Sequence, residues 1–241
     1  MNNKDYGKEL LIYPEQGEYS SCEICHDLHF IRRDYPIDHP MFGRLEVCDC
    51  QTNRLIERLK SESNLNNDET KKRLDQVCVE GRPGTGKIVD EARVFVQKPI
   101  GILTIYGSCG NAKTEVLQAI VNELIEKKIP VRYITGFDLL GDLKSAINEG
   151  EDVRNRLRKY EDIDVLVVDE FDKVRETEWV DEQLTQLIDI RYRNGINGEC
   201  GTVVAMNKHP REFNNWIFSR LSDGRNRMIG NNDSDMRPLL K

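Results

Sequence analysis

The run Gly107-Ser108-Cys109-Gly110-Asn111-Ala112-Lys113-Thr114 follows a strand-like Ile102-Leu103-Thr104-Ile105-Tyr106 and opens an amphipathic, helix-like stretch. Glycines there let backbone N–H groups wrap the phosphates of ATP, Lys113 is spaced to reach the β and γ phosphates, and the Thr114 hydroxyl can ligate magnesium. The end of the helix dipole adds to the attraction. The usual pattern carries a glycine just before the lysine, where this chain has Ala112. A positive φ at that residue would cost alanine about 1–2 kcal/mol.

A second string, Gly81-Arg82-Pro83-Gly84-Thr85-Gly86-Lys87-Ile88, fits the glycine pattern better. Ile88 has no hydroxyl for magnesium, Val77-Cys78-Val79 is a poor strand, and the segment IVDEARVFVQK is a poorer helix than the one after Lys113. The expected reading is a flexible turn.

Fifty-six residues beyond Lys113, the apolar run Val165-Leu166-Val167-Val168 ends in Asp169-Glu170. A buried parallel strand would deliver Asp169 beside the phosphate loop to hold the magnesium shell, with Glu170 placed to polarise an attacking water. Another strand-like run, Thr202 to Met206, ends in Asn207, which could hydrogen-bond that water or the γ-phosphate. Arg211 to Leu221 reads as a helix, and Arg220 near its end could reach a neighbouring subunit's nucleotide; Arg225 and Arg227 are alternatives for that role.

Cys22, Cys25, Cys48 and Cys50 form a CxxC and a CxC pair, the usual way to supply four thiolates to tetrahedral zinc. Zinc would also supply the folding energy that this apolar-poor segment lacks. His26, His29 and His39 are spare ligands, better read as neighbours of the cluster or surface residues. Cys78, Cys109 and Cys200 stand apart, although Cys109 lies in the phosphate loop, where a helix terminus can enhance thiol reactivity.

These groups need positioning elements. With 241 residues the chain has room for one domain plus an appendage. Short β-branched runs alternate with amphipathic stretches from Ile100 onward, which predicts α/β architecture around a parallel sheet. The expected organisation is a zinc-binding module over 1–52, a helical and loop linker over 53–99, and a P-loop NTPase domain over 100–241 with little chain left for a lid. A balance of 35 Lys+Arg against 42 Asp+Glu gives −7. That excludes a protein that coats DNA through bulk charge, so any DNA contact must be local. Lys144 and the run Arg154-Asn155-Arg156-Leu157-Arg158-Lys159 are candidates, the run reading first as a solvated helical face. No apolar run spans a membrane and no signal peptide is evident, so a soluble, cytoplasmic protein is expected.

The combination GSCGNAKT, VLVVDEFD, the Asn207 strand end and the late SRL arginine resembles an AAA+ ATPase of the DnaC/DnaI replicative-helicase-loader and IstB-like group. CEICHD and RRDYPIDHPMFGRLEVCDCQ resemble the zinc module that precedes the ATPase in phage-type members. The resemblance implies that Asp169 and Glu170 are the Walker B pair, Asn207 sensor 1, Arg220 the arginine finger and Arg237 the sensor 2 arginine. It further implies ATP-dependent self-association, a grip on single-stranded DNA, and docking on a hexameric replicative helicase, in a bacterial cell and from a host or phage gene. An IstB-type transposition helper and an ATP-gated adaptor with negligible turnover remain open; a small-molecule kinase is more distant, since no substrate lid is evident.

Overall fold

The computed structural model describes residues 22–175 and 177–235. The chain divides into two compact units at Arg58/Leu59.

In the first unit, strand β1 (Phe30–Ile31) pairs antiparallel with β2 (Glu46–Val47), and helix α1 (Asp49–Glu62) begins between Cys48 and Cys50. Its buried cluster consists of Cys22, Cys25, Ile31 and Cys48, so sulfur stands where aliphatic side chains normally would. Among the described residues, a core with one buried isoleucine cannot offset the conformational entropy of the segment. The shortage of apolar periodicity in the sequence has this consequence.

The second unit begins with short turns and helix α2 (Pro83–Gln97), which is followed by β3 (Gly101–Gly107) and α3 (Lys113–Glu126). Then come β4 (Val131–Thr135), α4 (Gly136–Asn148), α5 (Val153–Glu161), β5 (Val165–Asp169), α6 (Glu178–Ile196), β6 (Gly201–Met206), α7 (Asn215–Leu221) and β7 (Arg227–Asn231). The five strands β3 to β7 form one parallel sheet in the order β4-β5-β6-β3-β7. Alternating side chains fill two layers. Ile102, Ile134, Leu166, Val168, Val204 and Met206 face α4, α5, α6 and α7 in one apolar cluster, while α2 and α3 pack together across the sheet. Every residue of β5 and β6 is buried, which explains their unbroken apolar runs. Among the described residues, no helix is long and apolar enough to cross a membrane.

Two local expectations need correction and one element was not expected. The glycine-rich stretch expected as a turn within the linker is helical: α2 starts at Pro83, at the first helical position where its missing N–H costs nothing. The helix expected over 211–221 is shorter, since Asn214 caps α7 through its side chain and the preceding Pro210–Glu212 is a single 3-10 turn. The edge strand β7 is an addition that the polar Arg227-Met228-Ile229-Gly230-Asn231 did not announce.

Arg191 is fully buried among backbone carbonyls. It donates to Glu161 O at 3.0 Å, to Ile163 O and Gly201 O, and to the Thr202 hydroxyl at 3.0 Å, tying together the chain that enters β5 and β6. Burial pulls its guanidinium below the usual pKa.

Candidate functional site

The loop from Gly107 to Ala112 joins β3 to α3, and three of its residues have positive φ: Gly107 at 141°, Gly110 at 72° and Ala112 at 66°. The strain anticipated for alanine is therefore present. Lys113 is 8% exposed and folds back on its own loop, donating to Gly107 O and Ser108 O at 2.7 Å and to Asn111 Oδ1 at 3.0 Å. Burial pulls its ammonium below the usual pKa, partly offset by Cys109, Asp169 and Asp172 nearby. A cavity of about 280 Å³ opens over the loop and is lined by residues 109–114 together with Asp169, Glu170, Lys173 and Asn207.

Asp169 ends β5 and is 3% exposed. Its Oδ2 accepts from the Tyr133 hydroxyl at 2.9 Å and its Oδ1 from the Glu170 amide at 2.7 Å. Burial, then the Asp169 charge, push the Tyr133 hydroxyl well above its ordinary pKa. Glu170 is also left-handed, at φ 49°, and its carboxylate pairs with Lys173, whose pKa rises through that bond. Because β6 lies between β3 and β5, Asn207 emerges between the phosphate loop and Asp169. Asp172 Oδ2 accepts from the amides of Asn207 at 3.1 Å and Lys208 at 2.9 Å, stitching the two strand ends. The sequence motifs did not point to Tyr133, Asp172 or Lys173. Nor did they point to Lys72, which lines the cavity from a polar stretch and pairs with Glu115 at 2.9 Å.

The second glycine-rich string is filled by the chain itself. Asp233, just beyond β7, accepts from the Gly84 amide at 3.1 Å, the Thr85 amide at 2.7 Å and the Thr85 hydroxyl at 2.8 Å. Arg82 adds a bond to Ser234 O at 2.9 Å. Burial opposes ionisation of Asp233, but these donors outweigh it and hold the carboxyl below its usual pKa. Gly84 is required for contact: a Cβ there would sit 2.3 Å from Asn231 Oδ1.

Other predicted residues lie elsewhere. Arg220 donates to Asp189 Oδ1 at 2.9 Å and stacks within 5.1 Å of the Tyr192 and Trp216 rings, away from the residues that line the cavity. Arg225 is paired with Asp223 and Arg227 with Glu91. Arg237 lies outside the described residues. In the basic run, Arg156 is held by Asp142, Glu149 and Glu151, whereas Arg154, Arg158 and Lys159 are exposed on α5. Lys144 lies over the Trp179 ring, and Phe137 on the same helix is 72% exposed.

The sulfurs of Cys22, Cys25, Cys48 and Cys50 lie within 4.8 Å of one another. The Cys22–Cys48 separation is 3.8 Å and the Cys25–Cys50 separation 3.3 Å. Tetrahedral zinc with bonds of about 2.3 Å sets its sulfurs about 3.8 Å apart, so the donor set fits. The amides of Cys25 and Ile24 lower the Cys22 thiol to about 7, whereas burial and the neighbouring sulfurs push the Cys50 thiol up. His29 is a neighbour of the cluster, its Nδ1 3.8 Å from Cys50 Sγ and its Nε2 3.1 Å from Arg54 Nη1. His39 stacks on Tyr35.

A parallel sheet that gathers a P-loop, an acidic strand end and a polar residue of the intervening strand at one edge defines a P-loop NTPase core of the AAA+ class. Residues 90–226, more than half the chain, match the bacterial DnaA ATPase domain family, and the chain belongs to that family. It is 28% identical over 161 residues to the uncharacterized protein YqaM of Bacillus subtilis (strain 168), across 61% of this chain and 50% of that one. The chain thus spans half the length of that relative. Its fold is similar to the replication initiator DnaA bound to AMPPCP and single-stranded DNA, with TM-score 0.60 and 18% identity over 71% of this chain and 52% of that one. It is similar also to the DnaC helicase loader, with TM-score 0.59 and 21% identity over 69% of this chain and 99% of that one.

Proposed function

We propose that the chain binds ATP at residues 107–114, hydrolyses it, and uses the cycle to place a hexameric replicative helicase on single-stranded DNA. The observation that carries this reading is the single cavity shared by Lys113, Thr114, Asp169, Glu170 and Asn207. Lys113 exchanges its loop carbonyls for phosphate oxygens, and the loop amides cradle the phosphates. Thr114 and Asp169 would hold the magnesium that accompanies ATP and supplies positive charge there. Tyr133 orients Asp169, Glu170 leaves Lys173 to polarise the attacking water, and Asn207 positions that water. Arg220 acts on the nucleotide of an adjacent copy, for which it must leave Asp189, and Arg237 fills the sensor 2 role.

The similarity to a single-stranded-DNA-bound initiator and to a helicase loader supports the replication setting. Phe137 and Lys144 on α4, with Arg154, Arg158 and Lys159 on α5, offer an aromatic ring and cations suited to stacked bases and phosphates. Arg156, already neutralised by three carboxylates, takes no part. The four-cysteine unit would hold zinc and dock on the helicase.

Co-purification with a host replicative helicase, in ATP and single-stranded DNA, tests the reading. The native chain should retain the helicase and release phosphate faster with DNA, and Cys22→Ser should lose the helicase. Capture of a transposase without a helicase would favour the transposition helper. Tight ATP binding without DNA-stimulated phosphate release would favour the adaptor, a reading to which the strained Ala112 lends some support.

A further inference from the structure

Ala112 adopts a conformation that glycine reaches freely and alanine does not, so something outside the residue must hold it there. Its left-handed turn depends on how the Asn111–Ala112 peptide is oriented. The carbonyl of that peptide accepts a hydrogen bond from Asn231 Nδ2 at 3.0 Å, and Asn111 Nδ2 returns one to Asn231 O at 3.1 Å. Resting on the ATP reading above, we propose that Asn231 is a positioning residue for the phosphate loop. Its reciprocal clamp with Asn111 holds Ala112 left-handed in place of the missing glycine.

Further observations support the clamp. Asn231 and Asn111 are 0% and 1% exposed, so water does not compete for these bonds. The Asn231 side chain cannot turn away, because its Nδ2 also donates to Thr85 Oγ1 at 3.2 Å and its Oδ1 accepts from the Asp233 amide at 2.9 Å. The strands bring the pair together by register: Gly107 at the end of β3 lies opposite Asn231 at the end of β7. A Cβ on Gly107 would sit 2.0 Å from Asn231 O and 3.1 Å from Asn111 Nδ2, so the first glycine of the loop makes room for the clamp. The clamp also reaches the loop lysine, since Asn111 Oδ1 accepts from Lys113 Nζ at 3.0 Å. An edge strand 118 residues downstream of Lys113 (231 − 113) thereby sets both the backbone of the loop and the direction of its lysine.

Titration of the native chain, Asn231→Ala, Ala112→Gly and the double variant with a non-hydrolysable ATP analogue, alongside thermal melts, tests this. Asn231→Ala should bind about tenfold more weakly, the range set by a left-handed alanine left unsupported. Ala112→Gly should bind no more weakly than the native chain, and the double variant should bind within about threefold of Ala112→Gly, because glycine needs no clamp. A merely structural asparagine would lower the melting temperature equally with and without Ala112→Gly and give no rescue of affinity. Native affinity in Asn231→Ala, or a double variant as weak as Asn231→Ala, overturns the clamp. Should Asn231→Ala not fold, Asn231→Asp keeps the size and the acceptor for Asp233 but loses the donor to Asn111, and the same two outcomes apply. Absence of binding by the native chain would instead overturn the ATP reading itself.

Discussion

Two glycine-rich strings open two neighbouring helices, and only the second holds an anion supplied by the chain itself. At residues 107–114 the N-terminus of α3 faces a cavity, and the lysine waits on its own loop carbonyls. At residues 81–87 the string enters α2 itself, and the amides of Gly84 and Thr85 are occupied by Asp233. A helix N-terminus attracts negative charge wherever it comes from. What distinguishes the two is the preceding backbone: β3 runs straight into the first loop, while no strand enters the second. Glycine content alone favours residues 81–87, whereas strand context and the Thr114 hydroxyl favour residues 107–114, where the cavity opens.

Exchange of the two lysines would break this comparison most sharply. Lys113→Ala should weaken ATP binding by about hundredfold or more, since a buried charge-assisted contact to phosphate is lost. Lys87→Ala should leave affinity unchanged. Equilibrium titration of both variants checks the pair, and the reverse pattern would move the nucleotide site to α2.

Much of the site was legible because the residues that carry it are local in sequence. A strand, a glycine loop and an amphipathic helix sit in consecutive residues, and Asp169 comes directly after four apolar ones. Contacts between distant elements left no such trace. Tyr133 reads as an ordinary strand residue, yet its hydroxyl meets Asp169 across adjacent strands. Asn231 closes an edge strand whose polar composition hid it, because an edge needs less apolar burial than the central β5. Nothing local in the sequence marks Arg191 for burial, yet among backbone carbonyls it is a structural tie. The glycines of 81–87 suggested a turn, but tertiary packing against Asn231 and Asp233 favoured helix over propensity.

The next largest effect concerns the packing of the second string. Gly84→Val would drive a branched side chain into Asn231 and Asp233, and overpacking of this kind costs about 1–3 kcal/mol. Chemical denaturation should show the loss, with a secondary fall in ATP affinity through Asn231. Native stability would mean that the strap after β7 is not packed on α2.

A smaller effect concerns the anion. Asp233→Asn should cost about 0.3–1 kcal/mol at neutral pH, the usual worth of a negative charge at a helix N-terminus. The folded carboxyl is held below its unfolded pKa, so its contribution is complete above the ordinary aspartate value of about 3.9 and fades as pH falls through the lower folded value. Denaturation curves of the native chain and Asp233→Asn should therefore converge on acidification. A gap that stayed constant with pH would show that the carboxylate charge is not what α2 holds.

The smallest effect is the most discriminating, because the two strings carry their last residue before lysine the wrong way round for a pair of phosphate loops. Ala112 sits left-handed where glycine would be relaxed, and Gly86 sits within helix α2 where alanine would be better. A Cβ at Gly86 would meet nothing within 4 Å. Gly86→Ala should then stabilise the protein by about 0.5–1 kcal/mol by reducing the freedom of the unfolded chain. In a chain of this size that is a rise of about 1–4 °C in melting temperature. ATP affinity should not change. If Gly86 belonged to a phosphate loop, the same substitution would strain it and lower affinity, so one melt and one titration separate a helix that borrows a glycine from a loop that needs one.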